Sequence, residues 1–190
     1  MILLTICIAT LEKRKYTLLN LRNHLESQIR QHGLQEQVEV IISTDRGELS
    51  TGTKRNLLYM QAQGLYVCSV DDDDWVPHYY VSEIIKAIET GPDAVSMNGN
   101  HTTNGGNLAT WDISLHNAYV TGRKNGRTHY FRFHNHLSPI KKEIVLQFPF
   151  PEIYFGEDYA FAKAMHDAKA IKTEVKIELP MYEYRYQDKK

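Results

Sequence analysis

Four consecutive aspartates, Asp71-Asp72-Asp73-Asp74, follow directly on the apolar stretch Leu65-Tyr66-Val67-Cys68-Ser69-Val70 and run into Trp75-Val76-Pro77. Four carboxylates at the end of a buried strand are electrostatically costly, because like charges repel and desolvation penalises each ionised group. Folding alone offers no compensation. A divalent cation does, since hard cations take oxygen ligands, and ligands of open α/β sheets bind at strand tips. The run therefore reads as a metal-assisted site for a phosphate-bearing ligand. The competing reading is a solvated acidic turn in which Asp74, a few residues ahead of Pro77, caps the next helix. Capping accounts for one or two of the carboxylates but not for four.

Strand and helix signals alternate ahead of and beyond this run. Ile2 to Ala9 reads as a buried strand and Lys13 to Gln31 as a helix, with Leu18, Leu21, Leu25 and Ile29 on one face and His32-Gly33 ending it. Val38 to Ser43 is a second strand. Thr53 to Gln63 is a helix with Leu57, Met60 and Ala62 inward, stopped by Gly64. Leu65 to Val70, Pro77 to Glu89 and Ala94 to Met97 continue the series as strand, helix and strand. Such alternation predicts parallel strands with right-handed crossovers in a layered α/β domain. The second half differs. Asn98 to Gly126 is rich in Gly, Asn and Thr and suggests loops and short strands, and His129 to Ile140 alternates like an antiparallel strand. Gly156 to Ala168 is a helix with Phe161 and Met165 inward, Ala170 to Leu179 a last strand, and a Tyr-rich tail follows. No repeat and no long linker divides the 190 residues, so one domain is expected.

Composition narrows the class. No apolar stretch reaches the length of a membrane span, and Met1 to Thr10 is too soon followed by charge for a signal peptide. Cys7 and Cys68 both lie in apolar strands, which fits small buried thiols and a reducing, cytoplasmic setting. The net charge of -1 conceals an asymmetry: Ile113 to Lys142 has no acidic residue and carries Arg123, Lys124, Arg127, Arg132, Lys141 and Lys142, a formal +6 that leaves -7 on the remainder. A basic stretch of this kind either contacts anions such as a diphosphate or a nucleic-acid backbone, or is a solvated loop.

The motifs, in order, resemble those of family-2 glycosyltransferases of GT-A fold. The resemblance begins with the first strand and Thr10-Leu11-Glu12-Lys13-Arg14, where Ala9 replaces the family's usual proline. It passes through Ser43-Thr44-Asp45, Ser50-Thr51-Gly52-Thr53-Lys54-Arg55-Asn56-Leu57, Ala62-Gln63-Gly64-Leu65-Tyr66 and the aspartates, and closes at Gly156-Glu157-Asp158-Tyr159. It implies a single GT-A (Rossmann-like) domain, a mixed, mostly parallel sheet flanked by helices, with residues 1–98 binding a nucleotide sugar and residues 99–190 supplying the acceptor site and catalytic base.

The resemblance also implies roles. Asp71 would face the ribose, and Asp73, with Asp71 and His136, would hold Mn2+ or Mg2+. Asp72 and Asp74 stay open as substitutes, although alternation along an extended chain would pair Asp71 with Asp73. Thr10, Glu12 and Arg14 would line the nucleotide, Asp45 would bind the base, usually uracil, and Asp72 would belong to the same donor-binding set. Lys54 and Arg55, at a helix N-terminus that already favours anions, would meet the nucleotide or a neighbouring Asp. Asp158 would be the catalytic base and Glu157 its supporting neighbour, giving inversion at the anomeric carbon. Arg185 would close over the diphosphate. Trp75 and Trp111 could stack on a sugar or base, packing being the commoner fate of a Trp. The implied activity is metal-dependent, inverting transfer from a nucleotide sugar, a UDP-sugar first, to a hydroxyl of a saccharide or lipid-linked glycan. Alternatives are a hydroxymethylated base in DNA as acceptor, a nucleotidyltransferase, and a non-catalytic nucleotide-sugar module.

Overall fold

The computed structural model describes residues 1–187; residues 188–190 of the expected acceptor half lie outside the described residues. The first half alternates as expected: β1 (Leu4–Leu11), α1 (Lys15–Gln31), β2 (Val38–Asp45), α2 (Thr51–Gln61), β3 (Tyr66–Ser69), α3 (Tyr80–Ile88) and β4 (Ala94–Thr103). β2, β1 and β3 are parallel neighbours. Leu4 to Ile8 and Tyr66 to Val70 are buried without alternation because both faces of the sheet are covered. One apolar cluster gathers α1 and α3 on one face, with Leu21, Leu25, Val81, Ile84 and Ile88; the other gathers Leu58, Tyr59, Val145, Phe161 and Met165. Cys7 and Cys68 are free buried thiols. No helix among the described residues is long and apolar enough to cross a membrane.

The second half is more regular than its composition suggests. β4 extends to Thr103 and is followed by β5 (Gly106–Ile113), β6 (Val120–Lys124) and β7 (Arg127–Arg132). The hairpins β4–β5 and β6–β7 turn at Asn104-Gly105 and Asn125-Gly126, where all four residues have positive φ, which glycine and asparagine adopt most readily. The single strand expected over His129 to Ile140 is two, β7 and the short β8 (Ile140–Lys141), and the intervening loop carries His134 and His136. After α4 (Lys142–Val145) and α5 (Glu157–Asp167), β9 (Glu174–Tyr186) starts and ends later than expected and runs parallel to β4, so the Tyr-rich segment is strand rather than tail.

Two local expectations fail for identifiable reasons. Leu57 and Met60 are exposed, and α2 buries Lys54, Arg55, Leu58 and Tyr59 instead. The helix starts two residues earlier than expected, capped by Ser50, whose Oγ accepts from the Thr53 amide at 3.1 Å, and ion pairing keeps the cations inside. Asp74 caps nothing, since α3 begins only at Tyr80. Trp75 is held extended by reciprocal amide bonds with Glu183 of 3.1 and 2.8 Å, which delays the helix.

β9 is fastened at both ends. At its start, Glu174 accepts from Ser96, from Ser114 Oγ at 2.7 Å and from the Leu115 amide at 2.8 Å, and it meets His134 Nε2 at 2.8 Å. Burial opposes ionisation of Glu174, but His134, Ser96 and the Leu115 amide outweigh it and hold the carboxyl at about 2. Further along, Gly99 of β4 packs against the Tyr182 carbonyl and the Trp111 ring, where a Cβ would lie 2.2 and 2.6 Å from them.

Two outcomes follow. The stabilisation from Glu174 is complete above its ordinary value of 4.5 and is lost as pH falls toward about 2. Glu174→Gln is therefore expected to flatten the acid limb of a stability–pH curve measured by urea denaturation. Gly99→Ala overpacks the β4–β9 seam and is expected to cost about 1–3 kcal/mol in the same assay.

Candidate active site

The acidic run is a turn beyond the end of β3 and not an extension of the strand: the Asp74 amide donates to the Asp71 carbonyl at 3.2 Å. Strand alternation therefore does not apply, and the expected pairing of Asp71 with Asp73 on one face gives way to four separate surroundings. Asp72 is buried, accepting from Thr10 Oγ1 and, at 2.7 Å, from Arg14 Nη1. Asp73 is half-exposed, and the same guanidinium lies 3.1 Å from its Oδ2. Asp74 is buried and accepts from Tyr182 Oη at 2.8 Å and from the Arg185 amide at 2.7 Å. Tyr182 Oη in turn accepts from the Asp71 amide at 3.1 Å, so one tyrosine pins both ends of the turn.

Asp71 faces inward. Arg55 Nη2 donates to its Oδ1 at 2.7 Å and His136 Nε2 lies 3.4 Å from its Oδ2. The other arm of Arg55, Nη1, reaches Glu157 Oε1 at 2.5 Å. Arg55 is almost fully buried, so it links the aspartate turn to the first residue of α5 without reaching solvent. Burial works against ionising Asp71, but Arg55 and then His136 overcome it and hold the carboxyl well below the usual range. Asp73 and Asp74 move the other way, raised first by burial; Arg14 opposes the rise at Asp73, and the charge of Asp71 adds to it at both.

Among the described residues, no three His, Cys, Asp or Glu side chains converge as a ready-made metal cage. Mg2+ usually takes one or two protein carboxylates and completes its shell from substrate phosphates and water. The half-exposed Asp73 of the turn, and the buried His136 that meets Asp71 and leaves its Nδ1 without a partner, suit that shared kind of site.

The remaining residues expected on the donor side gather at the ends of β1 and β2. Lys54 Nζ donates to the Thr10 carbonyl at 2.8 Å and to Asp45 Oδ1 at 2.7 Å, while the Leu49 amide donates to Asp45 Oδ2. The Lys54 ammonium, helped by the Leu49 amide, lowers the Asp45 carboxyl against its burial. Glu12 pairs with Arg46 at 2.9 Å on the exposed rim. The Arg185 side chain bonds Glu183 at 2.7 Å and lies 5.5 Å over the Trp75 ring, whose own ring stacks at 4.4 Å on His24; it covers the rim of the turn.

Asp158 sits at the start of α5 in a cavity of about 360 Å³ that it shares with His136, Trp111, Tyr130, Arg132 and Tyr184. Its carboxylate has no hydrogen bond or ion pair among the described residues. Sequence reasoning did not single out Tyr182, His101 or Tyr184; the every-second-residue spacing of Tyr182, Tyr184 and Tyr186 was the available signal, since a strand sends them to one face. The acid-free basic stretch is dispersed. Lys141 pairs with Asp93, Lys142 bonds the Ala62 carbonyl, Lys124 pairs with Asp112, and Arg132 lies under two tyrosines.

The profile of glycosyl transferase family 2 matches residues 22–148, more than half of the chain. The chain belongs to that family. Its fold is the GT-A fold of solved structures of S. aureus TarS. A TarS 1-349 structure in complex with UDP-GlcNAc superposes with a TM-score of 0.66 at 15% identity, covering 100% of this chain and 60% of that one. The UDP complex of the same TarS segment gives 0.66 at 14% identity, with 97% and 60% covered. A longer TarS structure gives 0.65 at 15% identity, with 97% of this chain and 37% of that one covered. The chain thus spans 60% or less of the length of these structures. No curated protein matches it.

Removing Arg55 leaves the buried Glu157 and the partly buried Asp71 without their cation, so Arg55→Gln is expected to cost about 3–5 kcal/mol in urea denaturation. A double-mutant cycle with Glu157→Gln should return a coupling of about 0.5–3 kcal/mol.

Proposed function

We propose that the protein is a metal-dependent, inverting glycosyltransferase that moves a sugar from a UDP-sugar to an acceptor hydroxyl. The observation that carries this reading is the placement of Asp158, an unpartnered carboxylate in an aromatic-lined cavity, joined through Glu157 and Arg55 to Asp71 of the acidic turn. Family membership supports sugar transfer, and the TarS structures with UDP-GlcNAc and UDP support a uridine nucleotide sugar as donor.

In this reading the donor lies across the strand ends of residues 1–98, and residues 99–190 supply the acceptor cavity and the base. Asp45 accepts from the base's imide N–H, and Thr10, Glu12, Arg14, Lys54 and Asp72 shape the nucleotide site, Lys54 through Asp45 and Arg14 through Asp72. Arg55 acts on the donor side through Asp71, and Arg185 flanks the diphosphate. Asp73, with Asp71 and His136, would hold Mn2+ or Mg2+, which when bound neutralises charge on the departing diphosphate.

Asp158 accepts the proton from the acceptor hydroxyl as its oxygen attacks the anomeric carbon. The bond from that carbon to the diphosphate oxygen breaks with its electron pair going to the diphosphate. One displacement inverts the centre and needs no covalent sugar–enzyme intermediate. The aromatic walls, with Tyr184 stacked on His101 at 5.1 Å, suit a ring-bearing acceptor such as a saccharide or a lipid-linked glycan. Dispersal of the basic stretch into local pairs weakens the case for a DNA acceptor, which needs a continuous cationic surface.

The test is a donor screen with UDP-glucose, UDP-galactose, their N-acetyl forms and GDP-mannose, run with Mn2+ and with chelator. Turnover of a UDP-sugar that chelator abolishes is expected, and no turnover or binding of any donor would sink the reading. Asp158→Asn is expected to lower transfer by about 10²–10⁴-fold while UDP affinity, read by calorimetry, is kept.

A further inference from the structure

We propose that the cavity holding Asp158 is built for an acceptor that carries an anionic group, a phosphate or a carboxylate, and that Arg132 is the residue that recognises it. The inference rests on the glycosyl-transfer reading for the word acceptor, but the anion site itself rests on geometry.

The six arginines outside the acid-free stretch each meet a carboxylate: Arg14, Arg22, Arg30, Arg46, Arg55 and Arg185. Arg132 meets none among the described residues, although it is half-buried and shares the cavity with Asp158. A partly desolvated guanidinium without a counter-charge is unfavourable unless something else holds it. Two tyrosines and two carbonyls do so here. Its central carbon lies 4.3 Å from the Tyr119 ring centre and 4.9 Å from that of Tyr130, and Nη1 donates to the Val120 and Phe131 carbonyls at 2.9 Å. Cation–π contacts fix the plane of the group without neutralising it. Nε and Nη2 have no partner among the described residues, and a guanidinium offers paired donors that match carboxylate or phosphate geometry.

Arg132 and Asp158 both face the same space and do not pair with each other. The cavity therefore keeps a fixed positive charge apart from a free carboxylate, an arrangement that orients a ligand having an anionic group at one end and a hydroxyl at the other. The neighbouring His101 competes little for the anion, because burial, with Arg132 adding to it, lowers that imidazole from its usual value and disfavours its charged form.

The test compares glucose 6-phosphate, glucuronate and glucose, with inorganic phosphate as a fourth probe, by calorimetry on the UDP-saturated protein. Expected is at least tenfold tighter binding of one or both anionic sugars than of glucose, and the two anions separate a phosphate site from a carboxylate site. Arg132→Gln is expected to erase that ratio with UDP affinity unchanged. Arg132→Lys, which keeps the charge and guards against misfolding of the first variant, is expected to retain part of it. No preference for either anion in the native protein, equal weakening of charged and neutral sugars, or loss of UDP affinity in Arg132→Gln each overturns the proposal. If no nucleotide sugar is turned over but the anion preference stands and vanishes in Arg132→Gln, the transfer reading falls and the anion site remains.

Discussion

The ion pairs of Arg55 are the constraint on which the site's geometry depends. One buried guanidinium spans Asp71, just past the end of β3, and Glu157, the first residue of α5, more than a hundred positions away in sequence. A buried charge of either sign is tolerated only when paired, so the three groups stabilise one another and fix where the two elements meet. Because Asp158 follows Glu157, its position relative to the acidic turn follows from a contact centred on a buried guanidinium.

The acidic turn shows how one residue type can serve several purposes within four positions. Asp72 and Asp74 are held by the fold: they accept from Thr10, Arg14, Tyr182 and the Arg185 amide, and so tie the turn to β1 and β9. Asp71 stays ionised by pairing with Arg55. Asp73 alone is left half in solvent, sharing Arg14 with its neighbour. The repulsion that makes the sequence so conspicuous is thus mostly absorbed by local donors, and the excess negative charge is concentrated at the exposed carboxylate.

Much of this was legible from the chain. The buried strands and the α1 and α3 faces follow from apolar periodicity, because those elements lie where packing alone decides what is inside. α2 was misread at Leu57 and Met60 because ion pairs drew Lys54 and Arg55 into the interior, and hydrophobic patterning cannot foresee a paired charge. The hairpins of the second half were written in Asn104-Gly105 and Asn125-Gly126, but polar strands over a solvated face gave no apolar alternation to extend from those turns. Tyr182 escaped notice because a hydroxyl bridging two backbone-distant aspartates is a long-range fact with no local signal.

The parallel pairing of β9 with β4 has a consequence for the order in which the protein becomes competent. During synthesis on the ribosome, β1 through β4 emerge first and carry nearly all of the residues proposed for the donor side. Yet the hydroxyl of Tyr182 and the amide of Arg185 reach Asp74 only when β9 has been made and has threaded alongside β4. Until then the acidic turn lacks two of its donors, and its mutual repulsion is relieved only in part, by Thr10, Arg14 and Arg55. Contacts that span so much sequence form late, so a nascent chain would close its electrostatic knot as one of its last acts of folding.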